Sequence, residues 1–308
     1  MTIRWGILGC GKVAEVKSGP GFQSAAGSEL VLVMRRDAVL AADYARRHGV
    51  ARWTTDANEL IHDSGVDAVY IATPPSTHLE YALRVAAAGK PAYVEKPMAR
   101  NHAECRQMVA AFADARLPLL VAYYRRRLPR FLTTKELIDT GRLGQVTMLH
   151  YRYASNKVHR IVAGQLEWRL LAEQSGGGLL LDLGSHALDI FDFLFGPIEQ
   201  VRGAAANLAS PCEVEDVVAM HCRFRSGVMG VAGWNFAAAT AEDVIEITGT
   251  LGKITLSLFG NDPVVLATAA GVETFDRPNP PHIQQPLIQS IVDQLHGRGT
   301  CPSVVSRN

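Results

Sequence analysis

Two short stretches of the 308-residue chain carry side chains suited to moving a proton. The first is Gly176-Gly177-Gly178-Leu179-Leu180-Leu181-Asp182-Leu183-Gly184-Ser185-His186-Ala187-Leu188-Asp189. Asp182 and His186 are four positions apart, so a helix puts them on one face, and Asp189, three further on, joins that face. An imidazole beside carboxylates takes up and returns a proton near neutral pH. The triple glycine permits an unusual entry and close approach of another backbone. Aspartate and histidine at this spacing also suit a metal ion, but no obvious third and fourth ligand lies nearby, so no metal is expected. The plainer alternative is a helix start with a buried, satisfied histidine. The second stretch, Glu95-Lys96-Pro97, follows the apolar run Ala92–Val94. Ligands of open α/β sheets sit at the carboxyl ends of the strands. A lysine there holds a substrate hydroxyl and helps its proton leave, Glu95 keeps the ammonium charged and aimed, and Pro97 fixes the turn. The plainer alternative is a surface ion pair.

A third motif suits a dinucleotide. Gly9-Cys10-Gly11-Lys12-Val13-Ala14 reads G-x-G-x-x-A directly after the apolar run Ile3–Leu8. Gly9 permits the tight turn, Gly11 lets a pyrophosphate approach the backbone, and Ala14 lets the helix pack close to the sheet. The helix start, at Lys12 and Val13, offers N–H groups to the phosphate. The alternative is a tight turn with no ligand. The next strand runs into Met34-Arg35-Arg36, where an NAD enzyme normally places an acid for the ribose 2′-OH. Arg35 pairs with a 2′-phosphate and Arg36 stacks on adenine in the reading that favours NADP over NAD. The alternative there is a solvated basic corner. Ser18-Gly19-Pro20-Gly21 is expected to break the first helix, and Cys10 exposes the glycine loop to oxidation or alkylation.

These motifs need elements to hold them. Up to Ala122, nearly continuous apolar runs (Ile3–Leu8, Leu30–Met34, Ala68–Ala72, Ala92–Val94, Leu119–Ala122) alternate with helix-like stretches such as Ala38–His48, Thr77–Ala88 and His102–Ala115. That rhythm predicts a doubly wound parallel sheet covered on both faces. Beyond Tyr123 it changes. Helices are predicted at Leu128–Thr140 and Gly178–Phe195, a strand at Val146–Tyr153, and no clear period at Arg160–Ser175. Successive strand-like runs from Glu199 to Phe275 predict a largely antiparallel sheet. A proline-rich stretch, Arg277–Pro286, leads to a last helix, Leu287–Gly297. The division is therefore a dinucleotide-binding domain at 1–122 and a substrate-binding and oligomerisation domain at 123–308.

Composition narrows the class. A net charge of +1, from 31 basic and 30 acidic residues, gives no field that draws nucleic acid. No apolar run approaches the ~20 residues that span a bilayer, and Met1–Gly9 reads as a strand rather than a signal peptide. Five cysteines without a CxxC spacing suit a reducing cytoplasm rather than a disulfide framework. Arg125-Arg126-Arg127 reads as a solvated or domain-interface patch, Trp5, Trp53 and Trp234 as core or interface, and Tyr153 and Asn156 as strand-end residues, with reach into the site as the lesser alternative.

Taken in order, Gly9–Ala14, Ala72-Thr73-Pro74-Pro75-Ser76-Thr77-His78, Gly89-Lys90-Pro91 leading to Glu95-Lys96-Pro97, Trp168-Arg169 and Gly176–Asp189 resemble the Gfo/Idh/MocA family, named after glucose–fructose oxidoreductase and inositol dehydrogenase. The resemblance covers nearly the whole chain. It implies a Rossmann domain followed by an α/β domain with an open, mostly antiparallel sheet, and a nicotinamide-dependent enzyme acting on sugars, polyols or related cyclic alcohols. By resemblance, Lys96, Asp182 and His186 line the reacting centre: His186 is the principal acid/base, Lys96 polarises the reacting oxygen, and Asp182 orients the substrate or the imidazole. Thr73, Pro74, His78, Glu95 and Lys96 lie along the cofactor, and Trp168 and Arg169 reach it from the second domain. The Lys96–Pro97 peptide is often cis in relatives. Two features depart from the pattern: Tyr124 stands where relatives often carry asparagine by the nicotinamide, and the chain ends soon after Cys301-Pro302-Ser303, where relatives usually continue into a further helix. A homo-oligomer pairing through the open sheet is also implied. The rival functions are a dinucleotide- or sugar-sensing protein without turnover, and a glycoside hydrolase using transient cofactor-mediated oxidation.

Overall fold

Strands buried on both faces need helices above and below them, and the chain supplies these in alternation. A computed structural model describes residues 2–157, 161–162 and 165–305. Its two units are Met1–Arg127 with Pro280–Asn308, and Leu128–Asn279. The strands of the first unit are β1 (Ile3–Leu8), β2 (Ser28–Met34), β3 (Arg52–Thr54), β4 (Ala68–Ile71), β5 (Ala92–Val94) and β6 (Leu119–Val121). Its helices are α1 (Gly19–Ser24), α2 (Ala38–His48), α3 (Ala57–His62), α4 (His78–Ala87) and α5 (His102–Asp114). All pairings are parallel, in the order β3-β2-β1-β4-β5-β6. The order reverses between β1 and β4, which opens a crevice outside their carboxyl ends. Every residue of β4 and β5 is buried, as continuous apolar runs require.

The expected doubly wound parallel sheet is present. The short β3 and α3 carry too few residues for a clear period and had no counterpart in the sequence reading. The expected helix break at Ser18–Gly21 does not occur. Residues Ala14–Ser18 form a π-helical turn in which the Gly19 N–H bonds Ala14 O, and α1 continues through Pro20 near its start. A wider turn accommodates a residue without an N–H, because the regular ladder is already displaced there.

The second unit contains α6 (Pro129–Asp139), β7 (Val146–Asn156), the small hairpin β8 (Ile161–Val162) and β9 (Gln165–Leu166), α7 (Ala172–Ser175) and α8 (Ser185–Phe195). Strands β10 (Ile198–Ala206), β11 (Val217–Phe224), β12 (Met229–Asn235), β13 (Ala237–Gly249), β14 (Gly252–Leu256), β15 (Val264–Thr268) and β16 (Gly271–Phe275) follow. The large sheet is open, in the order β10-β11-β12-β7-β13-β14-β15-β16, and antiparallel except for the parallel pair β12–β7. One face is apolar: Leu149, Tyr151, Cys222, Trp234, Ile245, Ile247, Ile254 and Leu266 are all buried. Helix α8 covers this face, with Phe191 edge-on to Tyr151 at 5.6 Å and Phe195 against Phe224 at 5.2 Å between ring centroids. The opposite face carries Arg152 bonded to Glu242 and Glu246, and Lys253 bonded to Glu246.

The expected division at residue 122 differs from the observed one. Residues 123–127 stay with the first unit, and 280–308 return to it. The return includes α9 (Gln285–Leu295), whose Leu287, Ile288, Ile291 and Val292 are buried. Beyond α9 the chain pairs with β6: the Val121 N–H donates to Ser303 O at 3.1 Å and the Val305 N–H to Leu119 O at 2.9 Å. An amphipathic helix pattern shows that a face is buried but not which unit buries it. No helix among the described residues is long and apolar enough to cross a membrane. Trp5 and Trp234 are core residues, whereas Trp53 is 44% exposed. Arg160 lies outside the described residues.

Phe22 of α1 packs against Trp5 at 4.8 Å and Tyr70 at 5.2 Å and is fully buried. Replacing it with alanine leaves a large cavity beneath β1, so Phe22→Ala is expected to lower the unfolding free energy by about 3–5 kcal/mol, measured by urea denaturation. A loss below about 1 kcal/mol would show that the site collapses around the gap.

Candidate active-site residues

The expected site residues fall into two sets, one in each unit. In the first unit they gather at the carboxyl edge of the sheet. Gly9 follows β1 with φ +91°, a conformation that a side chain resists, and a Cβ there would stand 2.9 Å from Thr73 Cγ2 and 3.0 Å from the Ala72 carbonyl. Gly11 differs. A Cβ there meets only Gly9 O, at 4.0 Å, so the fold itself leaves open space beside it. The helical turn begins at Lys12, and the N–H groups of Lys12 and Val13 meet no backbone acceptor among the described residues, as at any helix start. Open space before free N–H donors fits the pyrophosphate of a dinucleotide.

At the end of β2, Arg35 Nη1 donates to Cys10 O at 3.3 Å, which lays the guanidinium against the glycine loop. Arg36 is exposed, and the next acid, Asp37, accepts the Leu40 N–H at 3.0 Å as the cap of α2. Its carboxylate is thus occupied by the helix start. Cys10 is fully buried, and burial pushes its thiol up to about 11, against the pull of Arg35. A thiol held protonated and covered reacts slowly.

Thr73 and Pro74 follow β4, with the Thr77 hydroxyl donating to Thr73 Oγ1 at 2.7 Å. His78 is 1% exposed and its ring is enclosed by main chain: Nε2 lies 2.8 Å from Thr73 O, and Nδ1 lies 3.1 Å from Pro97 O and 3.2 Å from Met98 O. It therefore joins the Thr73-Pro74 turn to the Lys96-Pro97 turn, whose Lys96–Pro97 peptide is cis. Burial pulls the imidazole below its usual range, against carbonyls and Glu95 that favour the charged form. Glu95 is buried after β5; its Oε1 accepts from Tyr70 Oη at 2.5 Å and Gln284 Nε2 at 2.7 Å, and its Oε2 from the Lys96 N–H at 3.1 Å. Past β6, Tyr124 is buried with Arg125 4.9 Å and Lys17 5.9 Å from its ring centroid. Burial alone raises its phenol, but the charges of Arg125, Lys17 and Lys96 outweigh burial and hold it below the ordinary range. Arg125, expected in a solvated or domain-interface patch, is buried rather than solvated.

In the second unit, Leu180–Gly184 make a π-helical turn before α8, so Asp182 and His186 belong to a helix of changed pitch rather than a regular one. Arg169 Nε stands 3.3 Å from Asp182 Oδ2, also pairs with Glu167, and lies 4.3 Å from the Trp168 ring centroid. Trp168, Arg169 and Asp182 are thus one cluster. His186 is 3% exposed, edge-on to Phe259 at 6.0 Å. Phe259 also meets Tyr153 at 5.3 Å, and Tyr153 Oη accepts from Lys157 Nζ at 2.6 Å. Asp243 fixes Phe259 by accepting the N–H groups of Leu258, Phe259 and Gly260 at 3.1, 2.6 and 3.1 Å. Phe259, Lys157, Gln284, Tyr70 and Tyr93 had no place in the expected site. Tyr70 and Tyr93 did leave a signal, since each interrupts an aliphatic strand and a buried hydroxyl needs a partner. Gln284 left none.

The chain matches the family described as "Oxidoreductase family, NAD-binding Rossmann fold" over residues 3–123 and the "GFO/IDH/MocA C-terminal domain" over residues 131–255. It is 39% identical to "Oxidoreductase P35" of Formosa agariphila over 306 residues, covering 98% of this chain and 94% of that one. It is 31% identical to a 1,5-anhydro-D-fructose reductase of Ensifer adhaerens over 253 residues, covering 82% and 74%. Among solved structures, levoglucosan dehydrogenase in complex with NADH and levoglucosan superposes with a TM-score of 0.88 at 24% identity, covering 98% of this chain and 92% of that one, a likeness of fold.

Two outcomes test this geometry. Gly11→Ala is expected to leave the melting temperature unchanged and weaken NADH binding by at least ~10-fold in fluorescence titration, whereas Gly9→Ala lowers both stability and binding. Equal NADH affinity in Gly11→Ala and the parent would show that the open space holds no phosphate. A buried histidine whose pKa is lowered leaves stability intact above its ordinary value of 6.5 and removes it as pH falls below that, because only the unfolded chain gains the proton. His78→Gln should therefore lose less unfolding free energy between pH ~7.5 and ~5.5 than the parent does, read from urea curves at both pH values.

Proposed function

The chain belongs to the Gfo/Idh/MocA oxidoreductase family, and on that footing we propose that it transfers a hydride between a nicotinamide dinucleotide and a hydroxyl- or carbonyl-bearing carbon of a sugar, polyol or related cyclic alcohol. The observation that carries this reading is the carboxyl edge of the parallel sheet. There the glycine loop, Arg35, Thr73-Pro74 and Lys96 follow successive strands on both sides of the reversal in strand order.

The nicotinamide ring supplies hydride exchange when bound. The chain's residues bind, orient and move the proton. The N–H groups of Lys12 and Val13, beside Gly11, bind the pyrophosphate. Arg35 receives a 2′-phosphate, which favours NADP, and Arg36 covers the adenine. Thr73, Pro74, Glu95, Lys96 and Tyr124 serve the nicotinamide half, and Trp168 and Arg169 are also assigned to the cofactor. His78 acts there as a positioning residue, through Thr73 and the Lys96-Pro97 turn. Lys96 Nζ holds and polarises the substrate oxygen. His186 takes the proton from that oxygen during oxidation and returns it during reduction. Asp182, paired with Arg169 at 3.3 Å, orients the imidazole or the substrate.

Relatives named for 1,5-anhydro-D-fructose and levoglucosan point to ring substrates rich in hydroxyls. The outer face of the open sheet carries Met229 and Val231, 44% and 43% exposed, beside Ala219 and Gly233, which supports pairing of two copies there. Its five free cysteines suit the cytoplasm.

His186→Ala and Lys96→Met are each expected to cut turnover ~100-fold or more on levoglucosan or 1,5-anhydro-D-fructose while NADPH still binds, followed by absorbance of the reduced cofactor. Full turnover in either variant would remove that residue from the reaction. Arg35→Asp is expected to weaken NADPH relative to NADH by ~10-fold or more in KM, since it replaces attraction to a 2′-phosphate with repulsion. An unchanged ratio would assign the basic corner to solvent.

A further inference from the structure

The carboxylate behind Lys96 is held by residues that no motif contains. Glu95 is 7% exposed, and Gln284, 189 positions away in sequence, is fully buried against it. An ionised carboxylate only accepts hydrogen bonds, so Gln284 must turn its amide nitrogen toward Glu95. Its Oε1 then accepts from Tyr93 Oη at 2.8 Å. Tyr70 and Tyr93 stack at 4.9 Å in neighbouring strands and supply the two hydroxyls. Glutamine suits this place because its tip donates with one atom and accepts with the other. Gln284 precedes α9, yet its side chain makes no cap bond to that helix, so the amide is committed to the strands.

Glu95 Oε1 takes Tyr70 and Gln284, which leaves Oε2 turned to the Lys96 N–H at 3.1 Å. We propose that Gln284 is a positioning residue: together with Tyr70 it locks Glu95 in the orientation that fixes the Lys96 main chain, and so sets where the Lys96 ammonium points. The inference rests on the role given to Lys96 above. Among the described residues, Tyr70, Tyr93, His78 and Tyr124 are titratable groups that interact with this carboxylate. Burial drives the phenols of Tyr70 and Tyr93 well above their usual range, so both remain donors at working pH.

The test reads Lys96 without a substrate. Reductive methylation with 13C-formaldehyde gives each of the seven lysines a dimethyl resonance, and Lys96→Arg identifies the Lys96 signal by its loss. Gln284→Leu is expected to displace that signal by more than its linewidth while the other lysine signals stay in place. In Gln284→Glu the introduced carboxyl replaces the amide as donor while it shares a proton with Glu95, at the low end of a pH titration, and repels Glu95 once both are ionised, at the high end. Its Lys96 signal should match the parent at the low end and depart from it at the high end. With levoglucosan, kcat should follow the same pH pattern, with NADPH affinity unchanged. A Lys96 signal that ignores both substitutions overturns the proposal, and so does a common displacement of all lysine signals, which marks general loosening. If Gln284→Leu does not fold, Gln284→Glu compared with itself at the two ends of the titration decides. Full turnover in Lys96→Met alongside the expected spectra would sink the redox role alone; inactive Lys96→Met with unresponsive spectra would sink the positioning role alone.

Discussion

A carboxylate taken out of water must be met by donors, and the first unit is organised around meeting Glu95. Each unmet hydrogen bond to a buried charge costs several kcal/mol, on the order of the whole stability of a domain. The donors come from three places: Tyr70 in β4, Gln284 ahead of α9, and the Lys96 N–H just past β5. Satisfying one side chain therefore ties neighbouring strands to the chain's return segment. The same bonds place the turn carrying Lys96 at the sheet edge where ligands of such folds collect. His78 works from the other side of that turn, enclosed by the carbonyls of Thr73, Pro97 and Met98. Stability and site geometry share these atoms.

The glycine loop separates two demands that a motif merges. Gly9 answers to the protein, since its positive φ and the nearness of Thr73 and Ala72 exclude a side chain. Gly11 is not required by packing, because nothing in the fold occupies the space a methyl would take. Space that packing leaves open beside unmatched N–H groups is what a phosphate at a helix start requires. The basic corner has a similar logic. Asp37 is spent on capping α2, which leaves Arg35 as the charged group against the loop.

The second unit solves a different problem. A wide sheet with one apolar face needs a cover, and α8 provides it through Phe191 and Phe195. That cover is preceded by the π-helical turn at Leu180–Gly184, which carries Asp182 toward Arg169 and Trp168. His186 rests against Phe259, whose backbone is pinned by Asp243. His186 thus stands on a packed helix, against a braced loop, rather than on a free end, which limits its motion.

Local patterning by itself determined the parallel sheet, the glycine turn, the lysine turn and the helix bearing His186, because periodicity, turn chemistry and strand–turn–helix order are read from neighbours in sequence. It also determined the mostly antiparallel character of the second sheet. Tertiary structure alone decided that residues 280–308 rejoin the first unit, that the helix survives Pro20 through a π turn, that His78 faces main-chain carbonyls, and that Gln284 completes the shell of Glu95. Each of these depends on a partner far along the chain or on a departure from regular pitch. Amphipathic periodicity states that a surface is covered and how often, but it carries no record of which distant segment does the covering.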